Sequence, residues 1–181
     1  MVSSNIATEI AKRLLQIKAI KLSPQKPFTW ASGLKSPIYC DNRMVLSHPE
    51  IRRFVIDCFV EKAKNFAPFD LVAGVATAGI AHGALLADRL DLPFVYVRAK
   101  AKEHGRQNLI EGEVLGHERV LVIEDLISTG GSSLSAIEVL KEAGCTIAGV
   151  LAIFTYGFDA ATEAFDKASC PSDTPRPYDA L

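Results

Sequence analysis

The 181-residue chain has no surplus of either charge: 20 Lys+Arg stand against 21 Asp+Glu, a formal net charge of −1. Nothing global therefore draws it to nucleic acid or to an anionic membrane, and any charge chemistry has to be local. It also lacks metal-ligand spacing. Cys40, Cys58, Cys145 and Cys170 form no C-x-x-C pair, and His48, His82, His104 and His117 are equally scattered, which argues against a zinc site. Free thiols spread through a chain of this size suit a reducing compartment, so a cytoplasmic protein is expected. No apolar run approaches the roughly 20 residues that a bilayer crossing needs. The longest weakly polar stretch, Gly74 to Ala87, contains His82, and Glu9, Lys12 and Arg13 break the N-terminal apolar residues before a signal peptide can form. Two nucleotide motifs are missing as well. Gly74-Val75-Ala76-Thr77-Ala78-Gly79 runs into Ile80-Ala81 where a P-loop needs Lys-Ser/Thr, and no G-x-G-x-x-G occurs, which weakens ATPase and dinucleotide-dehydrogenase readings.

What is present is an ordinary globular composition, 49% hydrophobic and 23% charged, in a length that suits one α/β domain. Ile6, Ile10, Leu14 and Ile17 predict an amphipathic helix from Ser4 to about Ile20. Ser23 to Tyr39, with Pro24, Pro27, Gly33 and Pro37, reads as extended and irregular. Ser47, Pro49 and Glu50 predict a capping box opening a helix whose apolar face runs Ile51, Val55, Phe59, Ala63 and Phe66. Two strand–helix–strand units follow. The first is a strand over Phe69–Ala73, a helix over Ile80–Leu90 and a strand over Phe94–Arg98. The second is a strand over Val120–Ile123, a helix from about Ser132 to Ala143 stopped by Gly144, and a strand over Ile147–Phe154. Strands bracketing helices imply a parallel sheet. Between the units, Ala99 to Gly112 is polar and glycine-containing, and is expected to be an exposed mobile loop.

Ligands of an open parallel sheet bind beyond the carboxyl ends of its strands, which singles out three segments. In Val122-Ile123-Glu124-Asp125-Leu126-Ile127-Ser128-Thr129-Gly130-Gly131-Ser132, two acids end an apolar strand and a hydroxyl and glycine run enters a helix. Backbone amides at the positive end of that helix, with the hydroxyls of Ser128, Thr129 and Ser132, suit a phosphate, while Glu124 and Asp125 suit sugar hydroxyls. Residues 74–79 are small and amide-rich, good for close approach to phosphate or pyrophosphate. The third, Arg98-Ala99-Lys100-Ala101-Lys102-Glu103-His104-Gly105-Arg106, is a local anion trap in a nearly neutral chain.

Three stretches resemble the orotate phosphoribosyltransferases: the 120–132 motif, the segment Phe28-Thr29-Trp30-Ala31-Ser32-Gly33-Leu34-Lys35-Ser36-Pro37-Ile38-Tyr39, and Arg98 with Lys102-Glu103-His104-Gly105. The 120–132 motif is shared by type I phosphoribosyltransferases in general, and the other two narrow the likeness. The resemblance covers most of residues 5–160.

It implies a Rossmann-like central parallel sheet flanked by helices with a small N-terminal hood. That is a single domain over 1–181, with helix and base-binding hood to about 45, a core over about 46–160 and a tail over 161–181. The implied reaction transfers ribose 5-phosphate from phosphoribosyl pyrophosphate (PRPP) to orotate, a step of UMP synthesis, with Mg²⁺ held mainly by substrate oxygens rather than by protein side chains. Lys102, His104 and Asp125 are the implied catalytic residues. Arg98, Glu124, Leu126, Ile127, Ser128, Thr129, Gly130, Gly131, Ser132, Ala76 and Thr77 join them around PRPP, and Ser128, Lys35 and Ser36 flank orotate. A homodimer is implied, in which loop 99–112 completes the neighbouring site. Two positions depart from the better-known members: Thr77-Ala78 stands where many carry Tyr-Lys, and Phe154-Thr155-Tyr156-Gly157 where they carry an orotate-binding arginine. The chain stops at Leu181 where the family normally continues with more helix, so a truncated end is expected. The alternatives are a type I enzyme for another base, against which Ser32-Gly33 and Ser36-Pro37 speak, and a non-catalytic PRPP sensor, for which the chain offers no DNA-binding pattern.

Overall fold

A computed structural model describes residues 2–29, 35–100 and 109–174. Helix α1 (Val2–Gln16) buries Ile10 and Leu14, as the apolar spacing predicts, but stops short of Ile20. Lys18 adopts a left-handed conformation (φ 58°), and the Ala19 N–H donates to the Leu14 carbonyl at 2.9 Å. That closure turns the chain out of the helix and leaves Ile20 to start a strand. Among the described residues the hood has four short strands, β1 (Ile20–Leu22), β2 (Phe28–Thr29), β3 (Lys35–Ser36) and β4 (Ile38–Cys40), with β1 antiparallel to β4 and β2 to β3. A 3₁₀ turn over Asn42–Ser47 leads into helix α2 (Pro49–Ala63). The expected capping box does not form: Ser47 is consumed by the 3₁₀ turn, and the N-cap is His48, which makes no side-chain capping bond. Proline at the first helical position still sets the start. The predicted face of Ile51, Val55, Phe59, Ala63 and Phe66 is buried.

The central sheet contains β5 (Leu71–Val75), β6 (Phe94–Val97), β7 (Ile110–Glu111), β8 (Arg119–Ile127), β9 (Thr146–Thr155) and β10 (Ser172–Asp173), in the order β10-β9-β8-β5-β6-β7. Helices α3 (Ala78–Leu90), α4 (Gly131–Glu142) and α5 (Asp159–Lys167) connect them. All neighbours are parallel except β7, which runs antiparallel to β6. β5 sits two residues later than predicted, because burial continues through Gly74 and Val75. Ile110 and Glu111 leave the predicted loop to pair with Val97 and Tyr96, since Ile110 has an apolar edge to cover. β8 does not end at its acids but passes through them to Ile127.

Side chains alternate across the sheet. Val72, Leu121, Ile123, Leu151 and Ile153 pack on one face with α1, α2 and α3, while Leu71, Ala73, Val120, Val122, Val150 and Ala152 pack on the other with α4 and α5. α3 lies unusually close to the sheet. A Cβ at Gly79 would collide with the Ile123 carbonyl and touch the Glu124 backbone, so only glycine lets the helix start there.

Candidate active site

β5 pairs with β8 from Leu71 opposite Val120 to Gly74 opposite Ile123, and ends one residue later at Val75, which pairs with β6. β9 stays paired with β8 as far as Thr155 opposite Ile127. Residues 124–127 therefore overhang β5, covered by β9 on one edge and open on the other toward the turn that follows β5. α3 departs from this point toward β6 and α4 toward β9, which makes it the switch point of the sheet, where a crevice is expected. A cleft of about 330 Å³ lies there, lined by Ala76, Thr77 and Ala78, by Glu124, Asp125, Leu126 and Ser132, and from the hood side by Cys40, Asp41 and Arg43.

Glu124 and Asp125 are adjacent in β8, and both line the cleft. Glu124 points under α4, where the Ser133 hydroxyl donates to its Oε2 at 3.5 Å, and its Oε1 accepts the Asp125 N–H at 3.0 Å. Burial, and next to it the charge of Asp125, pushes the Glu124 carboxyl well above its ordinary range. Burial raises Asp125 too, while the hydrogen bond with Glu124 and the Arg43 guanidinium pull it back. Burial and mutual repulsion thus disfavour two charged carboxyls here and shift both toward the protonated form.

The turn after β5 contains a cis peptide bond between Ala76 and Thr77. Thr77 precedes α3 with its side chain making no capping bond, and the Ala76 N–H donates to the Val97 carbonyl at 2.9 Å, pinning the turn to β6. Gly130, at φ 83°, is the N-cap of α4 and offers no side-chain oxygen, so the first N–H groups of that helix are not capped from within. They form the positive helix end that an anion would meet. A Cβ at Gly130 would lie 3.0 Å from the Phe165 ring, so α5 supports this turn from below.

Of the residues expected around the ligands, Ala76, Thr77, Glu124, Asp125, Leu126 and Ser132 share the cleft. Arg98 and Gly131 line an adjoining cavity of about 360 Å³ that Ala76 and Ser132 also border. Arg98 is paired with Glu111 at 3.3 Å, and its N–H donates to the Leu109 carbonyl at 2.8 Å, at the two ends of the segment 101–108. Lys102 and His104 lie outside the described residues, as do Ser32 and Gly33. Ile127 turns its side chain into the core, which leaves only its backbone at the site. Ser128 is half-buried and Thr129 exposed. Lys35 and Ser36 form β3, where the Ser36 hydroxyl accepts the Ile38 N–H at 3.1 Å; neither is among the cleft-lining residues.

The sequence reading missed three residues. Arg43 binds Asp41 through two bonds of 2.7 and 2.8 Å, holds that carboxyl below its usual range, and presents its charge to the cleft. Asn42, fully buried, donates from Nδ2 to the Asp125 carbonyl at 2.7 Å. The Tyr156 hydroxyl accepts the Cys40 N–H at 3.3 Å, and burial raises its phenol beyond its ordinary range. The polar run Asp41-Asn42-Arg43 was visible in the sequence, but nothing in its spacing said that it folds against residue 125.

The Phosphoribosyl transferase domain family matches residues 41–175. An orotate phosphoribosyltransferase of Listeria innocua is 54% identical over 178 residues, 98% of this chain and 85% of that protein. One of Bacillus pumilus is 55% identical over 175 residues, covering 96% and 82%. Among solved structures, the orotate phosphoribosyltransferase of Aeropyrum pernix superposes with a TM-score of 0.82 at 31% identity, over 92% of each chain. With the parallel sheet, its switch-point cleft and these relatives in agreement, the chain belongs to the orotate phosphoribosyltransferases, within the phosphoribosyl transferase family.

Proposed function

We infer that the protein transfers ribose 5-phosphate from PRPP to a nitrogen of orotate, giving orotidine 5′-phosphate and pyrophosphate in UMP synthesis. The observation that carries this reading is the overhang of β8. It gathers two carboxyls, the turn 76–78 and the uncapped start of α4 around one cleft, in a chain whose relatives carry that name. Cleavage of the bond between C1 and the pyrophosphate oxygen builds positive charge on the ribose and negative charge on the leaving group, as the new bond from C1 to the base nitrogen forms. A site that offers the opposite charge to each lowers the barrier.

In this reading Glu124 and Asp125 hold the ribose hydroxyls. The backbone of Leu126 and Ile127 carries the strand into the turn whose amides and hydroxyls, from Ser128, Thr129, Gly130, Gly131 and Ser132, receive the 5-phosphate. Ala76 and Thr77 approach the pyrophosphate by backbone. Arg98, Lys102 and His104 neutralise it as it leaves, with Lys102 the main cation, and closure of the 99–112 loop excludes water. Ser128, Lys35 and Ser36 flank orotate.

A hard cation would be carried in mainly on PRPP oxygens; among the described residues no group of three or more His, Cys, Asp or Glu side chains gathers to hold one, and Asp41 is engaged by Arg43, so Asp125 is the cleft carboxylate that would face it. Mg²⁺ carried in with PRPP would supply further neutralisation of the pyrophosphate. The protein acts as a homodimer in the cytoplasm, the loop of one subunit completing the partner's site. Among the described residues no helix is long and apolar enough to cross a membrane.

The test is the absorbance loss of orotate with PRPP and Mg²⁺, run beside uracil, adenine and hypoxanthine. Consumption of orotate alone supports the reading. Turnover of a purine points to another type I enzyme, and silence with all four bases despite PRPP binding points to a sensor.

A further inference from the structure

We propose that Asn42 is a positioning residue for Asp125, standing in for the strand partner that β8 loses where β5 ends. The inference rests on Asp125 acting on the ribose of PRPP. A carbonyl inside a parallel sheet is normally bonded by a neighbouring strand. Past Ile123, β5 supplies no partner, and the Asp125 carbonyl is taken instead by Asn42 Nδ2 at 2.7 Å.

The amide can sit only one way round. A carbonyl oxygen accepts and never donates, so the atom facing it is nitrogen, and Oδ1 is directed to Cys40. There the Cys40 thiol donates at 3.2 Å, and it is kept protonated by burial and by the nearby Asp125 charge. The Cys40 N–H in turn donates to the Tyr156 hydroxyl at 3.3 Å. A continuous chain of hydrogen bonds thus runs from the end of β9, through the hood, to the acidic strand. Asn42 is 0% exposed and is absent from the cleft lining, whereas its neighbours Asp41 and Arg43 face the cleft. Its influence on a bound substrate therefore passes through the groups it bonds, the Asp125 carbonyl and the Cys40 thiol, and a cycle with Asp125→Asn separates the two routes.

The experiment compares the full chain with Asn42→Leu, which keeps the volume and removes the donor, and with Asn42→Asp, which keeps the shape and donates only while protonated. Asp125→Asn and the Asn42→Leu/Asp125→Asn double variant complete the cycle. Rates are expressed per folded molecule, with the folded fraction read from thermal melts. The expected result for Asn42→Leu is a fall in kcat of about tenfold to a hundredfold, the scale of a small misplacement of a reacting group, with KM for orotate within about twofold. In the Asp125→Asn background the same change costs less than about twofold, because the group through which it acts is gone. Asn42→Asp loses activity relative to the parent as pH rises, the ratio of the two rates falling as the new carboxyl ionises and stops donating.

Wild-type kcat in a folded Asn42→Leu protein, or the same fold-loss with and without the Asp125 carboxylate, overturns the proposal. Should Asn42→Leu not fold, the Asn42→Asp pH profile decides: a profile parallel to the parent's overturns it. Parent protein that consumes no orotate refutes the functional reading and this inference together, whereas a working parent with an indifferent Asn42 refutes the inference alone.

Discussion

His82 lies on α3 with no exposed surface, and neither ring nitrogen has a hydrogen-bond partner among the described residues. Burial lowers its titration from the ordinary 6.5 to about 4. The unfolded chain therefore takes up a proton at this position over a range in which the fold refuses it, and stability present above 6.5 is lost as pH falls toward 4. At about 1.4 kcal/mol per tenfold change in proton affinity, the loss attributable to His82 is about 2 kcal/mol between about pH 7.5 and about pH 5, and about 3 kcal/mol below both values. The Glu124–Asp125 pair works the other way. Its carboxyls are raised in the fold, so the folded state holds a proton that the unfolded chain has released, and this contribution grows more favourable as pH falls. A pH scan of the parent alone would mix the two. The clean measurement is the difference in urea-unfolding free energy between the parent and His82→Leu across that pH range, with the slopes checked for equality. The parent should lose about 2 kcal/mol relative to the variant on going to about pH 5. A difference that stays flat would refute the assignment of a buried, proton-refusing imidazole.

Asp125→Asn should lower both PRPP affinity and turnover, read by steady-state kinetics and by PRPP titration, because the same carboxylate is assigned to binding and to the developing ribose charge; an effect on one alone would contradict that dual role. Lys102→Ala should cut turnover by orders of magnitude with substrate binding largely intact, and unchanged turnover would remove Lys102 from the mechanism. Gly79→Ala should destabilise by about 1–3 kcal/mol, the range for overpacking a tight contact, since its methyl meets the Ile123 carbonyl. In a domain of this size that corresponds to a fall in Tm of several degrees, and a thermal melt matching the parent's would show that α3 can retreat from the sheet.

Much of this was legible in the sequence, for physical reasons that differ from place to place. The helix and the second strand of the second strand–helix–strand unit were legible nearly to their limits, because Gly144, at φ 93°, ends the helix in a conformation that favours glycine and Ile147 to Phe154 is almost continuously apolar. The acids of β8 were found, but they were read as ending the strand. Polar residues in an apolar strand suggest a boundary, and only the pairing with β9 shows that the ladder continues. Ser47 misled because a serine three residues before a glutamate fits a capping box, while the 3₁₀ turn from Asn42 competed for it. Asn42 itself was illegible: its partner is 83 positions away, and side chain to backbone bonds of that span leave no periodicity behind. Tyr156 was noted as a departure from an expected arginine, yet its bond to the hood, 116 positions distant, was equally beyond local pattern.

The two faces of the sheet separate two tasks. The hood is rooted in one core, where Ile17, Ala19, Ile20, Cys40 and Val45 pack with α2 and α3, while the helix behind the phosphate turn is rooted in the other, with α4 and α5. Substitutions can accumulate in either core with the sheet as a wall between them. Under the proposed function, changes on the hood side would re-tune which base is read, and changes on the α4–α5 side how the phosphate end is gripped. A lineage can thus explore new acceptors without re-learning its donor, provided the few threads that cross at the overhang of β8 stay intact.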